Sequence, residues 1–197
     1  MSRRGTLVLV VGPSGAGKDS LIAAAAERFC DDARIVFARR LITRPAVADG
    51  EGHIPVSPSE FAEWRAAERL MLHWQAHDLD YGLPRELARA LEQGSTVVAN
   101  VSRTILTEAR RCFSPVAVVS VAASPATLAA RLATRGRETT TDIARRLKRA
   151  SALSAAEPDF TIDNDGALDE AVDRFVEVLS EVIERPARVV AGCNRHS

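Results

Sequence analysis

The chain has 197 residues and a mass of 21.2 kDa, the size of one compact domain, and its 46% hydrophobic content excludes disorder for most of its length. With 26 basic and 26 acidic residues the formal net charge is +0, so nothing implies a nucleic-acid or membrane partner. Nearly all the basic residues are arginine, Lys18 and Lys148 being the only lysines, so a lone arginine says little and a lysine inside a glycine loop says more.

The start, MSRRGTLVLVVG, joins two arginines to an apolar run from Leu7 to Val11. That run is too short for the core of a signal sequence and reads as a buried strand over Thr6–Val11, so the expectation is a cytoplasmic protein. Cys30, Cys112 and Cys193 are odd in number and widely spaced, as thiols of a reducing compartment are, with no metal-ligand spacing.

A helix is predicted over Gly17–Phe29 and a short strand over Arg34–Ala38. Residues 45–93 break the alternation with a Gly/Pro-rich loop over Pro45–Pro58, a helix near Pro58–Ala67, short apolar pieces and a helix near Pro84–Gln93. They read as a region inserted into the core. Val-rich strands follow at Thr96–Val101 and Val116–Val121, with helices at Thr104–Cys112, Pro125–Thr134, Thr141–Ala155 and Leu168–Ile183 and a last strand at Phe160–Ile162. Strand–helix alternation of this kind predicts an α/β fold: a parallel sheet with helices on both sides. The core is expected over 1–44 and 94–185, with a polar, lid-like loop at 135–141, and the tail 186–197 has no period.

Between the first strand and helix stands GPSGAGKDS, residues 12–20. Gly12, Gly15 and Gly17 allow turns that aim successive backbone N–H groups at one point, and Pro13, Ser14 and Ala16 are the other residues of that nucleotide-binding loop. The helix behind them adds its positive N-terminal dipole, and Lys18 brings a point charge to the β- and γ-phosphates of ATP. The residue after such a lysine is expected to be a hydroxyl that ligates Mg²⁺; here it is Asp19, which also offers oxygen to a hard cation, with Ser20 as the other candidate ligand.

Two arginine clusters complete the anion-binding pattern. Arg39, Arg40 and Arg44, in FARRLITRPA, follow the second strand at the carboxyl edge of the sheet, where guanidinium forks can cradle an acceptor's phosphate. Arg131, Arg135 and Arg137, with Arg145 and Arg146 on the return helix, flank the polar loop, where they can close over a transferring phosphoryl group.

Taken together, GPSGAGK, TRP, DYG, RLATRGRE and ARRLKRA resemble the guanylate-kinase branch of the nucleoside monophosphate kinases from about Thr6 to Leu179. The resemblance implies a P-loop NTPase three-layer sandwich with a central five-stranded parallel sheet, an inserted acceptor-binding region and an arginine lid. It implies that Arg44 and Tyr81 hold the acceptor's phosphate, that Lys18, Arg131, Arg135 and Arg146 act in the transfer, that Arg137 belongs to the nucleotide side, and that the loop carrying Asn164 and Asp165 contacts adenine. A helix N-cap is the other reading of Asn164 and Asp165.

The guanine-reading positions depart from that pattern. His73 precedes Trp74, Leu83 follows Tyr81–Gly82, Asn100 and Ser102 replace an acidic pair, and Ala46–Asp49 supplies no second acceptor arginine. A site that cannot pair guanine's polar edge rejects it strongly. These departures, with the aspartate after the lysine and the stretches RRLITRPA, HIPVS and NVSR, are similar to the ribose 1,5-bisphosphate phosphokinase branch. That resemblance implies ATP-dependent phosphorylation of a small phosphosugar by a monomer or homodimer. Arg39, Arg40, Arg44 and Arg103 would neutralise its phosphates, and His53, Asn100 and Ser102 are further acceptor-side candidates. The alternatives are a nucleoside monophosphate kinase with relaxed base choice, an inert interaction module, and a small-molecule kinase acting on a shikimate-like or gluconate-like alcohol. The last would need a base, and none is evident on the acceptor side.

Overall fold

The computed structural model describes residues 4–44, 52–134 and 157–184. The predicted lid 135–141, the return helix Thr141–Ala155, the tail 186–197 and the arginines at 135, 137, 145 and 146 lie outside these residues, as do residues 45–51 of the Gly/Pro-rich loop.

Strand β1 (Leu7–Val11) is buried at every position. Val8 and Val10 face one core with Leu21 and Ala25, while Leu7, Leu9 and Val11 face another with Leu91, Val97 and Leu106. A strand apolar at every position is one covered on both faces, and each of its side chains contributes about 1.5–3 kcal/mol by leaving water. Helix α1 (Lys18–Arg28) follows it across the phosphate loop, and β2 (Ile35–Phe37) is the short second strand. After the inserted stretch come β7 (Thr96–Asn100), a 3-10 turn (Arg103–Ile105), α4 (Leu106–Cys112), β8 (Val116–Ala122), α5 (Pro125–Thr134), β9 (Phe160–Asp163) and α6 (Leu168–Glu184). The five strands form one sheet in the order β2-β7-β1-β8-β9, with every pair parallel. Helices α1 and α6 pack on one face, with Phe175 and Leu179 fully buried there. Because β1 lies at the centre, its carboxyl end is flanked by the ends of β7 and β8, the place where open α/β sheets bind ligands.

The region between Leu41 and Pro84 builds a second sheet. Its strands are β3 (Leu41–Ile42), β4 (Ile54–Pro55), β5 (Leu70–Ala76) and β6 (Leu79–Pro84), in the order β4-β3-β6-β5. The short apolar pieces of the sequence are thus the two arms of a hairpin, joined at His77 and Asp78, whose φ values of 53° and 59° are those of a type I′ turn. Helix α2 (Pro58–Ala66) leads into it. Ser57 accepts the Glu60 N–H at 3.2 Å and its own N–H donates to Glu60 Oε2 at 2.6 Å, a capping box with Pro58 next in line. That backbone N–H holds the Glu60 carboxyl below its ordinary value. Helix α3 (Glu86–Glu92) returns the chain to the main sheet, with Leu91 buried beside Leu7 and Val97.

Candidate active site

The phosphate loop is fixed by close backbone approaches. A Cβ at Gly12 would collide with the carbonyl oxygen of Val121, and one at Gly17, where φ is 89°, with the side-chain amide of Asn164. Only glycine lets the chain pass between the ends of β1 and β8 here. The loop then opens α1, whose positive N-terminal dipole lies against it, and the Ala16 N–H closes a turn onto the Pro13 carbonyl at 3.3 Å. Lys18 Nζ donates to the carbonyls of Gly12 at 2.9 Å and Pro13 at 2.8 Å, curling the ammonium back over the loop.

Asn164, at the end of β9, is 1% exposed. Its Nδ2 donates to the Ala16 carbonyl at 2.7 Å, so the side chain points into the loop and braces it from the far edge of the sheet. The N-cap reading does not hold, because α6 begins at Leu168. Asp165 accepts the Ser124 N–H at 2.7 Å. That bond, with help from Thr127 and the Arg131 charge, lowers the Asp165 carboxyl. Arg131, from α5, brings its guanidinium over Gly17, with Nη1 3.8 Å from where a Cβ would stand. That Nη1 is buried and has no hydrogen-bond partner among the described residues, and neither has Asn164 Oδ1. A buried guanidinium N–H with no partner, beside a helix N-terminus and an ammonium, is an arrangement that an anion completes. These residues fit a nucleotide's phosphates.

The predicted cation ligands at the loop are Asp19 and Ser20, both exposed at the start of α1. Among the described residues no cluster of three or more His, Cys, Asp or Glu is present. One carboxylate suffices for Mg²⁺ when nucleotide phosphates supply further oxygens, and Asp19 Oδ2 carries no hydrogen bond among the described residues. The loop therefore fits the cation in kind.

Asp19 Oδ1 faces the other way. It accepts Asn100 Nδ2 at 2.7 Å and Arg40 Nη2 at 3.2 Å. Asn100 ends β7 and is 7% exposed, so two of the predicted acceptor residues meet on the predicted metal ligand. Arg40 lies with its guanidinium carbon 6.0 Å from the Tyr81 ring centre, and Tyr81 stacks on Trp74 at 5.5 Å and 8°. Thr43 is tied to Asp80 in both directions, at 3.1 and 2.8 Å, so Arg44 leaves β3 beside the strand that carries Tyr81. Arg39 donates to the carbonyl of His53 at 3.3 Å, and His53 is itself buried.

Ser102 has a local duty: its Oγ accepts the N–H and the hydroxyl of Thr104, capping the 3-10 turn that carries Arg103. Of the guanine-reading positions, Leu83 is fully buried in the second core and His73 is exposed on the opposite side of β5 from Trp74. The sequence points to Asn100 and Asp19 separately but not to their contact, which spans 81 positions, and it does not show the bracing of Ala16 by Asn164 across 148.

The guanylate kinase family model matches residues 4–182. A ribose 1,5-bisphosphate phosphokinase PhnN from Methylobacterium radiotolerans is 48% identical over 175 residues, covering 89% of this chain and 97% of the relative. Another of the same name, from Rhodopseudomonas palustris, is 49% identical over 162 residues, 82% of this chain and 81% of its own. Among solved structures, a guanylate kinase from Anaplasma phagocytophilum superposes with a TM-score of 0.66 at 18% identity, over 93% of this chain and 89% of its own, a likeness of fold. With a parallel five-stranded sheet and a glycine loop at its centre, the chain belongs to the guanylate kinase family and, within it, to the ribose 1,5-bisphosphate phosphokinases.

Proposed function

We propose that the chain transfers the γ-phosphoryl group of ATP to the 1-phosphate of ribose 1,5-bisphosphate, giving 5-phosphoribosyl 1-diphosphate and ADP. The observation that carries this reading is the composition of the acceptor wall. Arg40 stands against Tyr81, Arg44 leaves β3 beside it, Leu83 is buried where a base-reading hydroxyl would be, and the Asn100 amide is engaged with Asp19. Such a wall favours phosphates and offers little to a purine's polar edge.

The nucleophile is a phosphate oxygen, already ionised near neutral pH because its second pKa is about 6, so the reaction needs no general base. The work left to the protein is alignment and neutralisation of charge. In this reading the loop N–H groups and Lys18 hold the β- and γ-phosphates, Lys18 exchanging the carbonyls of Gly12 and Pro13 for phosphate oxygens. Arg131 supplies a guanidinium N–H to the transferring group, and Arg135, Arg137 and Arg146 complete the cationic set. Mg²⁺, when bound through Asp19 or Ser20, would neutralise charge on the nucleotide's phosphates. Arg39, Arg40, Arg44 and Arg103 receive the two phosphates of the acceptor, with His53 and Asn100 toward the sugar. Residues 45–93 form the acceptor arm in this scheme, and 1–44 with 94–185 the core. No helix among the described residues is long and apolar enough to cross a membrane. We place the enzyme in the cytoplasm, where ATP is held, as a monomer or homodimer.

The test is phosphorus NMR of purified protein with ATP, Mg²⁺ and ribose 1,5-bisphosphate. A new coupled diphosphate pair attached to the sugar, formed in step with ADP, supports the proposal. ATP left unconsumed over many hours refutes it.

A further inference from the structure

We propose that Asp19 is a positioning residue for the acceptor: by gripping Arg40 and Asn100 with one carboxylate oxygen, it sets Arg40 to receive an acceptor phosphate and ties that site to the nucleotide loop. The inference rests on the phosphosugar reading of the site and deepens it.

Asp19 stands in the first turn of α1, directly after Lys18. A carboxylate there is favoured by the helix dipole, but it also adds negative charge where phosphates must bind, and that charge requires compensation. The compensation is visible. Oδ1 takes the Asn100 amide at 2.7 Å and the Arg40 guanidinium at 3.2 Å. The Arg40 side chain is 15% exposed against 46% for Asp19, so the pair sits on the sheltered side of the carboxylate.

Arg40 is also held by its placement against Tyr81, whose ring is stacked on Trp74. A guanidinium has five N–H donors in a fixed fork. Asp19 engages Nη2, and no other hydrogen bond of the Arg40 side chain is present among the described residues. The fork is therefore oriented with donors left over for a phosphate, so the ordering of a long side chain is accomplished before the acceptor arrives. A hydroxyl at position 19 has neither the charge nor the reach to do this. Oδ2 remains for a cation, so one side chain can serve both substrates from its two oxygens.

The test is calorimetric titration of ribose 1,5-bisphosphate into the wild type, Asp19→Ser, Arg40→Ala and the double variant, in EDTA and without nucleotide, with ADP affinity measured in the same buffer. Omitting the metal removes any contribution of Asp19 through Mg²⁺. Asp19→Ser is expected to weaken acceptor binding about tenfold or more, and to add less than about twofold once Arg40 is alanine, while ADP affinity changes by less than about threefold. Undiminished acceptor binding by Asp19→Ser, or effects that simply add in the double variant, would overturn the inference. Loss of ADP binding in Asp19→Ser would overturn it as well, by showing a general collapse of the loop. Failure of the wild type itself to bind ribose 1,5-bisphosphate would be a separate result, refuting the function proposed above.

Discussion

The phosphate loop and the proposed acceptor wall are held in place by different means. The loop is braced by backbone and by buried neutral groups: β1 in the middle of a sheet covered on both faces, Val121 pressed against Gly12, and the Asn164 amide on the Ala16 carbonyl. The wall hangs from a small second sheet, two of whose strands are only 2 residues long, and is steadied by charged and aromatic contacts among Asp19, Arg40, Tyr81 and Trp74. Backbone bracing gives a fixed geometry for a ligand that varies little, a nucleotide's phosphates. Side-chain bracing can be changed one residue at a time, which suits the part of a kinase that chooses its acceptor.

If that division is right, the largest loss comes from the loop. Lys18→Ala is expected to lower kcat by about 10³-fold or more with the fold intact, measured by ADP release and circular dichroism. Near-normal turnover would break the assignment of the nucleotide side. On the wall, Arg44→Ala should raise the KM for acceptor about 10- to 100-fold, from the loss of a charged hydrogen bond, and leave the KM for ATP almost unchanged. Unchanged acceptor kinetics would take Arg44 out of the site.

How much of this was legible in the sequence follows the same division. The core strands announce themselves as Val- and Leu-rich runs, and the glycine loop by its spacing, because both are set by local chemistry: burial on two faces, and turns that tolerate no side chain. The second sheet shows in the sequence only as short apolar pieces. Leu41–Ile42 and Ile54–Pro55 are too short to show a period, and the hairpin turns at His77–Asp78 without the Asn-Gly or Asp-Gly pair that marks such a turn. The predicted helix at Thr104 begins instead as the 3-10 turn Arg103–Ile105, because Ser102 caps the chain one turn early. Asn164 was read for its loop position toward adenine; its contact with Ala16 depends on how β9 lies beside β8, which no local pattern encodes.

Asn164→Ala sharpens the comparison from the side of stability. Losing the Nδ2 bond leaves the buried Ala16 carbonyl unpaired and should cost about 1–3 kcal/mol in denaturant unfolding, with the KM for ATP raised more than that for acceptor. A variant as stable as the wild type would show that the loop keeps its shape without this brace.

The smallest effect belongs to neither region. Arg34 hydrogen-bonds to Asp32 and lowers its carboxyl from 3.8 to about 2, so the native state favours the ionised form. A depressed carboxyl stabilises the fold above its unfolded pKa, and that contribution is lost as pH falls through the folded value. Asp32→Asn should therefore lower stability slightly at pH 6, with the difference from wild type shrinking below about pH 4 and gone near pH 2. A difference independent of pH would mean that the pair acts through packing.

This wall is expected to select a phosphosugar over a purine nucleotide. The most direct measurement is competition in one vessel: equal concentrations of ribose 1,5-bisphosphate and GMP, limiting ATP with Mg²⁺, and products separated by mass. 5-Phosphoribosyl 1-diphosphate should exceed GDP by at least about 10²-fold, the discrimination expected where a base's polar edge finds no partners. GDP in comparable or larger amount would contradict it, and would mean that Leu83 and Asn100 leave the wall able to hold a base.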